Sequence, residues 1–126
     1  MNSRIFLCFA AIAGLMLGAQ SALAASQAVR DMAGIIVHLE HYPSSDEKGK
    51  LKSIADNMAS TAQERVLARA IMNLKHKAAD EDKDKLKQVM NDAAAPAEVR
   101  DLAGIILNMS HMPSAADKSK LEQMMK

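Results

Sequence analysis

The chain has 126 residues, with 16 basic and 15 acidic side chains, four histidines, one cysteine and three aromatic residues. Near-neutral charge and scarce aromatic rings exclude a nucleic-acid-binding protein, which needs a basic face or stacking platforms. The sequence also lacks a glycine-rich phosphate loop and a haem-attachment cysteine pair, and its carboxylates cluster in polar turns. We therefore expect no enzymatic activity.

Residues 1–24 have the layout of a cleaved export signal. Arg4 supplies a positive charge, residues 5–19 are apolar, and Ala22-Leu23-Ala24 is typical of cleavage before Ala25. The apolar segment is short for a bilayer span and no second one follows, so we expect no integral membrane span after processing. Removal of Arg4 leaves 15 basic and 15 acidic residues. This pattern predicts a periplasmic or secreted protein.

The rest of the sequence repeats with a period of 35 residues, in three copies at about 26–60, 61–95 and 96–126. The match is plainest between residues 29–36 and 99–106. A fixed period of this size is typical of stacked helical units, each too small to bury its own apolar face. The period resembles that of tetratricopeptide-type hairpins. The aromatic hallmarks of those hairpins have no counterpart here, so no functional residue is transferred.

Each copy predicts a helix, a short turn and a second helix, because apolar residues recur at helical spacing on both sides of a polar segment. Ser26, Thr61 and Asp80 are candidate N-caps, and Ser44 has the spacing of a capping box. The predicted helices are 27–41, 46–58, 62–76, 81–93, 97–111 and 115–126. The expected fold is a single all-α domain over residues 25–126. Its three tandem helix-turn-helix repeats form either a solenoid-like array or a closed bundle.

The predicted core consists of aliphatic and methionine side chains. Leu51, Leu86 and Leu121 occupy the same position in the three copies, and most methionines, Met58 included, fall on apolar stripes. Gly34 and Gly104 lie in helix interiors, where glycine is unfavourable, so we expect a neighbouring helix to approach them closely. The apolar C-terminal helix predicts a closed bundle or a covering partner.

The histidines are the candidate functional residues. His41, His76 and His111 recur at the predicted ends of the first helices, where a histidine can interact with the helix dipole and free carbonyls. A metal site is the alternative, with His38, His41, His111 and Met112 as ligands, because imidazole and thioether together suit copper. Equivalent residues of stacked units are expected to lie about a helix-pair width apart, too far to share one ion.

Three functions therefore remain open from the sequence. The leading hypothesis is an exported helical-repeat module that binds another macromolecule, with an unidentified protein partner. The first alternative is a periplasmic copper-, nickel- or zinc-binding protein that uses histidine and methionine. The second alternative is a structural homo-oligomer. Apart from a metal ion, we expect no cofactor.

Overall fold

The computed structural model describes residues 25–126, so the predicted export signal at 1–24 lies outside the described residues. The described part contains six α-helices and no named strand, which confirms the all-α prediction. The helices are α1 Gln27–Val37, α2 Ser45–Asp56, α3 Ala62–Met72, α4 Asp80–Met90, α5 Ala97–Asn108 and α6 Ala115–Met124. In the described range, no helix has both the length and the apolar character needed to cross a bilayer.

Side-chain caps define most of the helix starts. Ser26, Ser44, Thr61 and Ser114 each accept a hydrogen bond from a backbone N–H of the first turn. Ser44 and Thr61 also form full capping boxes with a glutamate three residues later. The predicted cap at Asp80 is wrong, because Asp80 is already the first helical residue and Ala79 occupies the N-cap position.

The first helix of each copy ends three or four residues earlier than predicted. Leu39, Leu74 and Met109 extend the apolar spacing and are at most 5% exposed, yet they lie beyond the ends of α1, α3 and α5. Their burial is achieved from the turn rather than from the helix. The histidines that follow them therefore lie in turns, and the predicted position in a last helical turn is wrong.

The six helices pack in an inner and an outer set. Helices α1, α3 and α5 contact one another, while α2 packs mainly on α3, α4 on α5, and α6 on α1. Leu51, Leu86 and Leu121 are all fully buried, as predicted. The contact of α6 with α1 covers the apolar side of the last helix, so Met124 is only 6% exposed.

Candidate metal centre

The three turns that follow α1, α3 and α5 are anchored to the core on both sides of a histidine. The residue two positions before each histidine is buried, namely Leu39, Leu74 and Met109. The residue two positions after each histidine is also buried, namely Pro43, Ala78 and Pro113. The histidines between these anchors, His41, His76 and His111, are exposed. Packing therefore fixes the turns while it leaves the imidazoles at the surface.

Backbone hydrogen bonds join the three turns directly. The His76 N–H donates to the His41 carbonyl over 3.0 Å, and the His111 N–H donates to the His76 carbonyl over 2.5 Å. His76 and His111 have φ angles of 66° and 67°, a left-handed conformation in which histidine is enriched among non-glycine residues. Such a conformation persists only where the surrounding structure enforces it. The backbone thus positions all three histidines at one end of the molecule.

The three rings lie close together, each pair in an edge-to-face arrangement. The ring centroid of His76 lies 5.0 Å from that of His41 and 4.8 Å from that of His111, and the third distance is 6.0 Å. The Nδ1 atoms of His76 and His111 are 3.0 Å apart. One nitrogen from each of the three rings can be chosen so that all lie within 4.8 Å of one another.

The shortest of these distances is close to the spacing of two ligands on a single metal ion. Two nitrogen ligands of a tetrahedral ion lie about 3.4 Å apart when each bond is about 2.0–2.1 Å long. The 3.0 Å contact between the two Nδ1 atoms already lies near that value. A hydrogen bond there needs a proton on one nitrogen and a lone pair on the other, and a metal ion would take the place of that proton.

The structure brings together two of the four predicted ligands, His41 and His111. It adds His76, which the predicted ligand set does not contain. His38 caps the C-terminal end of α1 and is exposed, and it does not belong to the cluster. Met112 follows His111 and is 51% exposed.

The expectation that equivalent histidines lie too far apart to share an ion is wrong. Such a separation holds for units displaced along a stack, where equivalent positions lie the width of a helix pair apart. Instead α1, α3 and α5 contact one another, and the turns that follow them lie together at one end of the molecule. A metal site needs three or more histidine, cysteine or acidic side chains close together. Within residues 25–126, these three histidines form the one group that meets this requirement.

Helices α2 and α4 are rich in lysine and present charged side chains to solvent. Lys52 pairs with Asp56, and Lys83 pairs with Asp80. Hydrogen bonds from these lysines, with their positive charge, lower the pKa values of Asp56 and Asp80. Exposed pairs of this kind contribute little to stability.

Glu64 and Asp82, the two buried carboxylates within residues 25–126, have structural partners. Glu64 accepts hydrogen bonds from the Ser26 hydroxyl and from the backbone N–H of Thr61. Asp82 accepts one from the Asn73 side-chain amide. Glu64 therefore completes a capping box and joins the starts of α1 and α3, while Asp82 ties the start of α4 to the end of α3.

The methionines divide between core and surface. Met32, Met109 and Met124 are buried, and Met72, Met90 and Met125 pack partly buried against the core. Met58, predicted on the apolar stripe of the second helix, is 83% exposed because α2 ends at Asp56. The core placement predicted for Met58 is therefore wrong.

Comparison of this chain with protein-family models, with curated proteins and with solved structures found no match.

Proposed function

We propose that this protein binds a late first-row transition-metal ion through His41, His76 and His111. The observation that supports the proposal is the convergence of these imidazoles, which follow one another at intervals of 35 residues, so that one nitrogen from each lies within 4.8 Å of the others. Unlike a pair of histidines on one helix, three ligands from three turns require the folded chain. The site is thus a property of the tertiary structure.

The ligand set favours copper, nickel or zinc. Neutral imidazole suits these ions, whereas magnesium and calcium prefer carboxylate and carbonyl oxygen. Within the described residues no carboxylate belongs to the cluster. Met112, beside His111 in sequence, offers a thioether that would favour copper if it joined the ligands.

We further propose that the three copies at 26–60, 61–95 and 96–126 are structural repeats closed into a ring, each contributing one histidine. The sequence period of 35 supports this. So does the packing of α2 on α3, α4 on α5 and α6 on α1, because the same relation then holds between each copy and the next. A closed arrangement brings equivalent turns together around one axis.

Export and a binding role complete the proposal. The charge and apolar layout of residues 1–24 supports cleavage before Ala25 and a periplasmic or secreted location. A role as a binding module for another protein finds support in Tyr42, which is 64% exposed beside His41. Aromatic side chains are enriched where proteins meet. On this account the protein binds a metal ion and a partner and is not an enzyme.

Calorimetric titration of untagged protein with copper, nickel and zinc salts tests the metal proposal. We expect saturable binding that is weakened in His41→Asn, His76→Asn and His111→Asn. Loss of an outer-sphere partner already costs about 10- to 100-fold in affinity, so loss of a ligand is expected to cost at least as much. Asparagine is the chosen replacement because it tolerates positive φ.

His38→Asn is the matched control. It removes an exposed histidine from the same chain, three residues before His41 and outside the cluster. It should bind metal like the unmodified protein. Loss of binding in His38→Asn, with binding kept in His76→Asn, would show that a local pair on one turn binds the ion instead.

A further inference from the structure

We propose that a metal ion on His41, His76 and His111 joins two copies of this chain face to face, with both copies supplying imidazole ligands. This inference rests on the proposed metal binding and goes beyond it. Its basis is the position of the three donors at an exposed end of the molecule.

The three histidines of one chain leave the ion incompletely coordinated. The three histidines are exposed and supply three donors, whereas tetrahedral and octahedral ions need four or six. Two backbone hydrogen bonds fix the turns: the His76 N–H donates to the His41 carbonyl, and the His111 N–H donates to the His76 carbonyl. In the described part of the chain no further histidine, cysteine or acidic side chain belongs to the group. The remaining coordination positions of the ion therefore point away from the chain and are open to a ligand from another molecule.

The residues next to the histidines make this end suitable for a second copy. Tyr42 and Met112 are two large apolar side chains that stay 64% and 51% exposed. Glu40, Lys75 and Lys77 are next to His41 or His76 in sequence, are exposed and carry both signs of charge. A face with both signs can be complementary to itself, because the acid of one copy can meet a lysine of the other.

A second copy would both fill the open coordination positions of the ion and cover the exposed apolar side chains. Water or a small anion could occupy the open metal position, but it would leave Tyr42 and Met112 in solvent. A second copy related by a two-fold axis through the ion supplies further imidazoles and covers the apolar side chains. Two-fold contacts of one surface with itself are the commonest form of oligomer.

Sedimentation equilibrium of untagged protein, with nickel added stepwise after treatment with chelator, tests the inference. We expect a monomer without metal and a doubling of the average mass as nickel approaches one ion per two chains. A large nickel excess should return the mass toward the monomer, because each chain then holds its own ion. His76→Asn should stay monomeric at every ratio, and His38→Asn should dimerise normally.

The result that would overturn the inference is a monomer at every nickel ratio while calorimetry shows one ion bound per chain. The metal site would then stand, and its open position would be filled by solvent. If calorimetry detects no binding, both the metal site and the bridged dimer are wrong. A dimer that persists with chelator would also contradict a metal bridge, and a nickel-dependent dimer of His76→Asn would contradict the role of His76 in it.

Discussion

Gly34 and Gly104, in the inner helices, each lie next to a methionine at the end of an outer helix. A Cβ atom built on Gly34 would lie 3.4 Å from the sulfur of Met125, and one built on Gly104 would lie 3.4 Å from the sulfur of Met90. At the corresponding place in the middle copy, Arg69 donates to the carbonyl of the small Ala55. The glycines are therefore next to methionines, whereas the arginine forms a hydrogen bond with the backbone of an outer helix. The close approach predicted at the two glycines is a contact with a flexible methionine.

Gly104→Ala tests how readily that methionine adapts. Alanine is favoured over glycine in a helix by about 1 kcal/mol, and the Met90 sulfur can move by a few tenths of an ångström. We expect stabilisation, but by less than Gly49→Ala produces, because a Cβ at Gly49 meets no atom within 4 Å. Urea denaturation of both variants measures the difference. A loss of stability in Gly104→Ala alone would show that the contact with Met90 is rigid.

The N-terminal capping of α4 differs from that of α2 and α6. Ser44 and Ser114 cap α2 and α6, whereas Ala79 at the corresponding place provides no side-chain cap. Its φ and ψ of −63° and 143° are close to the −65° and 168° of Ser44. A serine at position 79 would therefore have the backbone needed to cap α4.

Ala79→Ser should stabilise the protein by about 0.5 kcal/mol, the low end of the range for an N-cap. The gain is small because the N–H of Asp82, the donor that a serine would satisfy, already bonds to the Ala79 carbonyl. Ser114→Ala should cost about 1 kcal/mol. Thermal melts with calorimetry check both values, and a destabilised Ala79→Ser variant would contradict the assigned helix start.

The three equivalent leucines test whether the last helix is as firmly held as the others. Leu51, Leu86 and Leu121 are each fully buried, so substitution by alanine should cost about 2–5 kcal/mol at every position. Because α6 packs on α1, Leu121→Ala should cost as much as Leu86→Ala. Denaturant unfolding of the three variants measures this. A much smaller loss at Leu121 would indicate a frayed terminal helix and an open array.

The sequence predicts these elements better at their starts than at their ends. Polar caps such as Ser44 and Thr61 have local signatures, and the structure confirms them. The ends are misplaced because Leu39, Leu74 and Met109 continue the apolar spacing. Their burial depends on turns that pack into the core, and spacing alone cannot distinguish that from another helical turn.

The histidine cluster depends on how the helices pack around one another, which periodicity does not specify. The repeat identifies His41, His76 and His111 as equivalent positions, but equivalence is compatible with a stack that separates them and with a ring that brings them together. The contact of α6 with α1 and those among α1, α3 and α5 decide where the turns lie. Sequence spacing therefore predicts His38, a near neighbour of His41, as a ligand and does not predict His76.

A metal ion held by three distant turns should stabilise the entire fold. A ligand present at a hundred times its Kd adds about 2.7 kcal/mol to the free energy of unfolding. Since about 1 kcal/mol moves the Tm of a domain this size by about 4–8 °C, we expect a rise on the order of 10 °C. Scanning calorimetry with and without zinc measures the rise, which should vanish in His111→Asn.

The most direct test of the central claim is a nitrogen–proton correlation spectrum of the four imidazoles during titration with zinc. The account predicts that the ring signals of His41, His76 and His111 shift together and reach their end points at the same zinc concentration, while those of His38 stay in place. Joint shifts of His38 and His41 with His76 and His111 unmoved, or no shift in any ring, would contradict it.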